Sequence, residues 1–254
     1  MKRMDKPKIG VFKFTGCAGC QMAIIHLEER LLDIFGGVEI RYFKMATSRN
    51  PGGPYDISLI EGSVSTPKEI KEIKEIRKNS RYLVALGTCA VYGGVQAMRN
   101  PFKEIDVEKK VYEKPEYIMS LESKGIDEYV DVDGYIYGCP INVEEAVFLI
   151  KSLLLGFQPY YPEYSVCVEC KMKGNECLLL KRGEKCIGPI TRGGCDAICT
   201  TNKFPCQGCR GPLYGTNIDG LFQKLSKMGI DREEVINIMR KYVNEVYLRG
   251  EVAR

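Results

Sequence analysis

The sequence predicts an α/β protein: an open, mostly parallel sheet covered on both faces, followed by a smaller, loop-rich segment organised by metal. Three observations predict it. Strand-like apolar runs alternate with amphipathic helical stretches as far as Leu155. The pattern breaks at FQPYYPEY (157–164), where two prolines and three tyrosines fall among eight residues. Beyond the break, residues 165–215 hold eight of the twelve cysteines and no hydrophobic period. A boundary there gives a unit of residues 1–160 and a unit of residues 161–254 that ends in C-terminal helices.

KIGVFKF (8–14) alternates apolar and polar as a strand does. From Gln21 the period changes, with Ile24, Leu27, Leu31 and Ile34 three or four apart, so a helix runs to about Phe35 and stops at Gly36-Gly37. VEIRYFKM (38–45) and DISLIEGS (56–63) read as the second and third strands. PKEIKEIKEIRKN (67–79) is a solvated helix of mixed charge, with Thr66 as N-cap and Pro67 at its first position. RYLVALG (81–87) is a continuous apolar run, the form of a strand buried on both faces. Residues 100–130 are charged and irregular, a surface excursion before the short strand GYIYG (134–138). Asn142 then caps a helix from Glu144 to about Leu155. DREEVINIMRKYVNEVYL (231–248) is a final helix capped by Asp231, with Val235, Met239, Tyr242 and Val246 on one face.

The bulk properties exclude several classes. With 254 residues, 44% hydrophobic and 28% charged, the chain is ordinary for a globular protein. A net charge of +4, evenly spread, does not suit a nucleic-acid or membrane surface. No apolar stretch approaches the ~20 residues of a bilayer span, and the N-terminus shows no signal pattern, so a cytoplasmic location is expected. No G-x-G-x-x-G or Walker pattern occurs, so no nucleotide is expected on this chain.

Twelve cysteines in such a chain point to metal, since a disulfide framework fits small secreted chains better. Only one histidine is present, His26, read as an interior or interface residue. Cys₂His₂ zinc and Rieske centres need two, which leaves all-cysteine ligation. Cys17, Cys20, Cys89 and Cys139 each follow a strand, and in an open parallel sheet the carboxyl ends share one edge, where ligands bind. Four thiolates on that edge suit a [4Fe–4S] cluster. The lone C-x-x-C alone would equally fit a thioredoxin-like dithiol. The first helix aims its positive end at the site and is expected to lower thiolate pKa values there. Gly16, Gly19, Gly87 and Gly138 let the backbone come close. Glu61 ends the third strand and points to the same edge, either with a proton or hydrogen-bonding role or as an ordinary exposed carboxylate. The other eight cysteines divide into Cys167, Cys170, Cys177, Cys186 and Cys195, Cys199, Cys206, Cys209. A pair of Cys₄ zinc ribbons is the alternative to clusters for them.

The combination FTGCAGCQ, LIEGS, LGTCAVYGG, YGCPIN and PCQGCRGP resembles the small subunit of [NiFe] hydrogenases, especially the cytoplasmic archaeal sulfhydrogenase or NADP-linked type. The likeness runs from Lys8 to about Pro212, in the family's order. It implies a flavodoxin-like N-terminal domain and an iron–sulfur C-terminal domain. It also implies a proximal cluster on Cys17, Cys20, Cys89 and Cys139, a distal one on Cys167, Cys170, Cys177 and Cys186, and a medial one on Cys195, Cys199, Cys206 and Cys209. Periplasmic members have a histidine where this chain has Cys167, and a [3Fe–4S] medial cluster where Cys199 here offers a fourth thiol. The resemblance therefore implies three all-cysteine [4Fe–4S] clusters of low potential. The expected partners are a large subunit carrying the Ni–Fe centre and a flavin and iron–sulfur diaphorase, in a heterotetramer that reduces NADP or polysulfide or evolves H2. The alternatives are a coenzyme F420-linked hydrogenase, a one-cluster subunit of complex I or of a membrane-bound hydrogenase, and a zinc-stabilised module without redox function.

Overall fold

The computed structural model describes residues 6–26, 37–102 and 104–243. Five strands, β1 (Lys8–Lys13), β2 (Glu39–Phe43), β3 (Tyr55–Glu61), β4 (Ser80–Leu86) and β5 (Gly134–Ile136), form one sheet in the order β2-β1-β3-β4-β5, with every pairing parallel. Strand order reverses between β1 and β3, the switch point of a flavodoxin-like sheet, where ligands bind beyond the carboxyl ends. Register aligns those ends: Lys13 lies beside Glu61, Glu61 beside Leu86, and Leu86 beside Ile136.

Both faces of the sheet are buried, as continuous apolar strands require. On one face Val11, Leu59, Val84 and Ile136 pack against α1 (Gly19–Ile25) and α5 (Val143–Leu154). On the other, Phe12, Ile60, Leu83 and Ala85 pack against α2 (Pro67–Lys78) and α3 (Thr88–Tyr92). That second core continues without a gap into the C-terminal segment, through Val166, Ile187 and Ile190 to α8 (Ile218–Lys227) and α9 (Arg232–Val243). Tyr161, from the proline-tyrosine stretch, accepts the Tyr135 N–H at 3.0 Å and so seals the edge strand β5.

The caps written in the sequence are present. Thr66 Oγ1 accepts the Glu69 N–H at 3.2 Å, and Glu69 reaches back to the Ser65 N–H at 2.8 Å, a capping box displaced by one residue. Asn142 Oδ1 accepts the Glu144 N–H at 3.0 Å. The expected helix residues Leu27, Leu31, Ile34 and Phe35, and Val246 of the last helix, lie outside the described residues. Two expectations change. The excursion 100–130 contains α4 (Glu104–Val111) and returns to the fold at Ser123, which is 1% exposed and bonds Ser63 Oγ at 2.7 Å. His26 is not interior: it follows α1 at its C-terminal cap and is exposed. Among the described residues no helix is long and apolar enough to cross a membrane.

Candidate functional site

The loops at the carboxyl edge of the sheet gather four thiols. Cys20 sits in the first turn of α1, Cys89 in the first turn of α3, Cys17 just before α1 and Cys139 after β5. They lie close enough for ionising one to disfavour ionising another: Cys89 and Cys139 so act on Cys20, and Cys17 on both Cys89 and Cys139. Two glycines line the space. A Cβ at Gly87 (φ +84°) would fall 2.4 Å from Cys20 Sγ, and one at Gly94 (φ +66°) 2.5 Å from Cys89 Sγ. Only glycine lets the backbone approach a sulfur so closely in these conformations. The Gly19 N–H lies 3.3 Å from Cys17 Sγ, a donor to sulfur of the kind the flanking glycines suggest.

Glu61 is 3% exposed, so it is not an ordinary exposed carboxylate. Its Oε1 accepts the Cys20 N–H at 2.9 Å, while Oε2 is buried and finds no hydrogen-bond partner among the described residues. Burial holds its carboxyl above the usual carboxylate range. The helix field does not win at Cys20: burial, then the Glu61 carboxylate, pushes that thiol up rather than down.

The other eight cysteines surround loops of the C-terminal segment. Cys167 and Cys170 lie on α6 (Val166–Met172), Cys177 caps α7 (Leu178–Lys181), and Cys186 is buried beside them. A Cβ at Gly188 would stand 3.5 Å from both Cys167 Sγ and Cys186 Sγ, which places those two sulfurs around one glycine. Cys170, Cys177 and Cys186 all act electrostatically on Cys167. The remaining set surrounds Cys209, which feels Cys199 and itself acts on Cys195 and Cys206. This set touches both others. The Cys139 N–H points to Cys209, and the Cys206 N–H lies 3.3 Å from Cys186 Sγ.

All twelve cysteines are free thiols. Among the described residues no three Cys, His, Asp or Glu side chains converge on a single metal ion. The donor set suits iron–sulfur ligation: twelve free thiols, several of them approached by glycine backbone and by N–H donors.

Burial pushes the Cys139 thiol from 9.0 up to about 12, and the Cys167 and Cys195 thiols to about 11, with Cys186 and Glu169 respectively adding to the last two. These thiols ionise later folded than unfolded, so the stability they confer is full below pH 9 and is lost as pH rises toward 11–12. The metal-free chain is expected to melt at a lower temperature at about pH 10 than at about pH 8. Thermal unfolding followed by circular dichroism checks this, and an unchanged or higher Tm would contradict it.

Four residues at the site carry no motif that singles them out. Gln96 Nε2 donates to Thr15 O at 3.0 Å and its Oε1 accepts from Cys89 Sγ at 3.4 Å. Glu169, between Cys167 and Cys170, accepts the Gly194 N–H at 2.5 Å and the Ala197 N–H at 3.0 Å, holding the loop of Cys195 where Asp196 and Ala197 have positive φ. Arg210 and Glu145 form a buried ion pair at 2.7 Å. The signal available for Arg210 was its place in PCQGCRGP, directly after a cysteine.

Residues 17–153 match the family described as NADH ubiquinone oxidoreductase, 20 Kd subunit. The chain is 39% identical over 237 residues to "Sulfhydrogenase 2 subunit delta" of Pyrococcus furiosus, covering 92% of this chain and 98% of that one. It is 32% identical over 271 residues to a component of the F420-non-reducing hydrogenase vhu of Methanocaldococcus jannaschii, covering 92% and 94%. Among solved structures, a chain of an NAD+-reducing [NiFe]-hydrogenase in the H2-reduced state superposes with a TM-score of 0.57 at 32% identity, covering 62% of this chain and 96% of that one. With five parallel strands, a cysteine-lined carboxyl edge and relatives that extend through the C-terminal cysteines, the chain belongs to the NADH ubiquinone oxidoreductase 20 Kd subunit family and, within it, to the small subunits of [NiFe] hydrogenases.

Proposed function

We propose that this chain is the electron-relay subunit of a cytoplasmic hydrogenase, joining the Ni–Fe site of a large subunit to a flavin-containing diaphorase through three [4Fe–4S] clusters. In this reading Cys17, Cys20, Cys89 and Cys139 hold the proximal cluster. Cys195, Cys199, Cys206 and Cys209 hold the medial one, and Cys167, Cys170, Cys177 and Cys186 the distal one. The observation that carries it is the order of contacts, because the Cys195–Cys209 set meets Cys139 on one side and Cys186 on the other. Bound there, the clusters supply one-electron chemistry. The chain's own residues hold, insulate and tune: thiols ligate, Gly87 and Gly94 admit the backbone, and Gly19 donates to sulfur.

Residues 1–160 form the flavodoxin-like unit with the proximal site, and residues 161–254 the unit with the other two. The partners are a large subunit and diaphorase subunits in a heterotetramer, with NADP or polysulfide reduced or H2 evolved, and with no nucleotide bound on this chain. A one-cluster subunit of the complex I type fits poorly, because the eight C-terminal cysteines lie beyond the residues matched to that family. A coenzyme F420-linked complex is the second reading for the acceptor, favoured by the likeness to the coenzyme F420 hydrogenase subunit gamma of Methanococcus voltae. Zinc would draw four sulfurs to about 2.3 Å from a single ion, a convergence absent among the described residues.

Iron, acid-labile sulfide and zinc measured on the anaerobically purified chain test the proposal. About twelve irons and twelve sulfides per chain, three four-iron sites, are expected. About four irons with zinc would confine the relay to the sheet edge, and zinc without iron would leave a binding module.

A further inference from the structure

Among the described residues Arg210 is the largest fully buried side chain, 1% exposed, and its guanidinium donates four hydrogen bonds to protein groups. Nε donates to Gly193 O at 2.6 Å, and Nη1 to Tyr137 O and Glu145 Oε2, both at 2.8 Å. Nη2 donates to Glu145 Oε1 at 2.7 Å, which closes a two-pronged ion pair with a carboxylate that is itself only 13% exposed. The places these bonds reach are specific. Tyr137 stands two residues before Cys139, Gly193 two before Cys195, and Arg210 follows Cys209. Glu145 lies in the first turn of α5, and the cap of that helix, Asn142, donates to Gly194 O at 2.9 Å. A Cβ at Gly194 (φ +104°) would fall 2.4 Å from Arg210 Nη2, so the loop is built to admit the guanidinium.

A brace alone does not need a charge. Removing two ions from water is costly, and well-packed apolar residues of similar volume commonly stabilise a fold as well or better. The distinctive property of this pair is orientation: its cation follows Cys209 in the chain, bonds the Cys195 loop at Gly193 O and acts on both thiols, whereas its anion is held on α5.

We propose that the Arg210–Glu145 pair is a positioning and tuning unit for the group held by Cys195, Cys199, Cys206 and Cys209, its guanidinium favouring that group's reduced, more negative state. This rests on the three-cluster reading above. Glu145 partly offsets the guanidinium charge. Neutralising Glu145 therefore raises the group's midpoint potential, whereas deleting both charges lowers it.

The experiment is an EPR-monitored redox titration of the anaerobically purified holoenzyme. Comparison with a Cys195→Ala/Cys209→Ala variant identifies the signal belonging to this set, and that variant is expected to lose about four irons. Glu145→Gln is expected to favour reduction about tenfold, about 59 mV upward for one electron, and Arg210→Met/Glu145→Met to shift it a comparable amount downward. Opposite shifts at unchanged iron content are the signature that a brace would not produce. If the cysteine variant loses no iron, the cluster reading fails and takes this inference with it. If it loses iron but the two charge variants leave the potential unmoved, move it in the same direction, or both lose the signal, the pair is a brace and only the inference is overturned.

Discussion

Gly87→Ala is expected to empty the sheet-edge site without removing a single cysteine. Gly87 has φ +84° and ψ 165°, a region occupied almost only by glycine, and forcing alanine into it costs on the order of 1–3 kcal/mol. The larger effect is local. The new Cβ would stand 2.4 Å from Cys20 Sγ, so that thiol must leave its place, while Gly138 O at 3.4 Å leaves no slack on the other side. Loss of about four irons per chain and of most hydrogenase activity is the expected result, read by iron analysis and H2-dependent dye reduction. Gly156→Ala is the control: it also has positive φ (+79°) but meets nothing within 4 Å, so it pays the backbone cost and keeps its iron. Equal iron in the two variants would show that the close approach at Gly87 is unimportant.

Arg210→Leu is expected to be the most destabilising single substitution near the site, by about 3–5 kcal/mol, because it strands the Glu145 carboxylate. The Gly193 and Tyr137 carbonyls also lose their donors. For a chain of this size about 2–4 °C of Tm accompanies each kcal/mol. Arg210→Met/Glu145→Met should cost far less, since no charge is left unpaired and the volume is largely kept. Thermal unfolding of the two variants beside the unaltered chain measures the difference. A single variant as stable as the double one would mean that the carboxylate finds water or another partner.

Much of the first half was legible in local pattern. Thr66-Pro67 with Glu69, and Asn142 before Glu144, announce helix starts because the capping oxygen and the amide it accepts lie within three residues of each other. The run ending at Leu86 announced a strand covered on both sides, which Leu83, Val84, Ala85 and Leu86 are. The carboxyl-edge address of Cys17, Cys20, Cys89 and Cys139 followed from strand order alone. Less was legible where periodicity was weak. The helix Glu104–Val111 was obscured by the charges around it, and the return of Ser123 into the core depends on Ser63 and Gly93, partners 60 and 30 residues away.

By itself the sequence determined the alternation of strands and helices and the caps, since each depends on neighbours a few positions apart. Only the tertiary structure decided that Glu61 is buried, that Glu169 holds the Cys195 loop, and that Arg210 and Glu145 meet. The physical reason is burial. A carboxylate or guanidinium reads as a solvated charge in any sequence, and it acquires a partner, a shifted ionisation and a role only when packing from distant segments removes it from water.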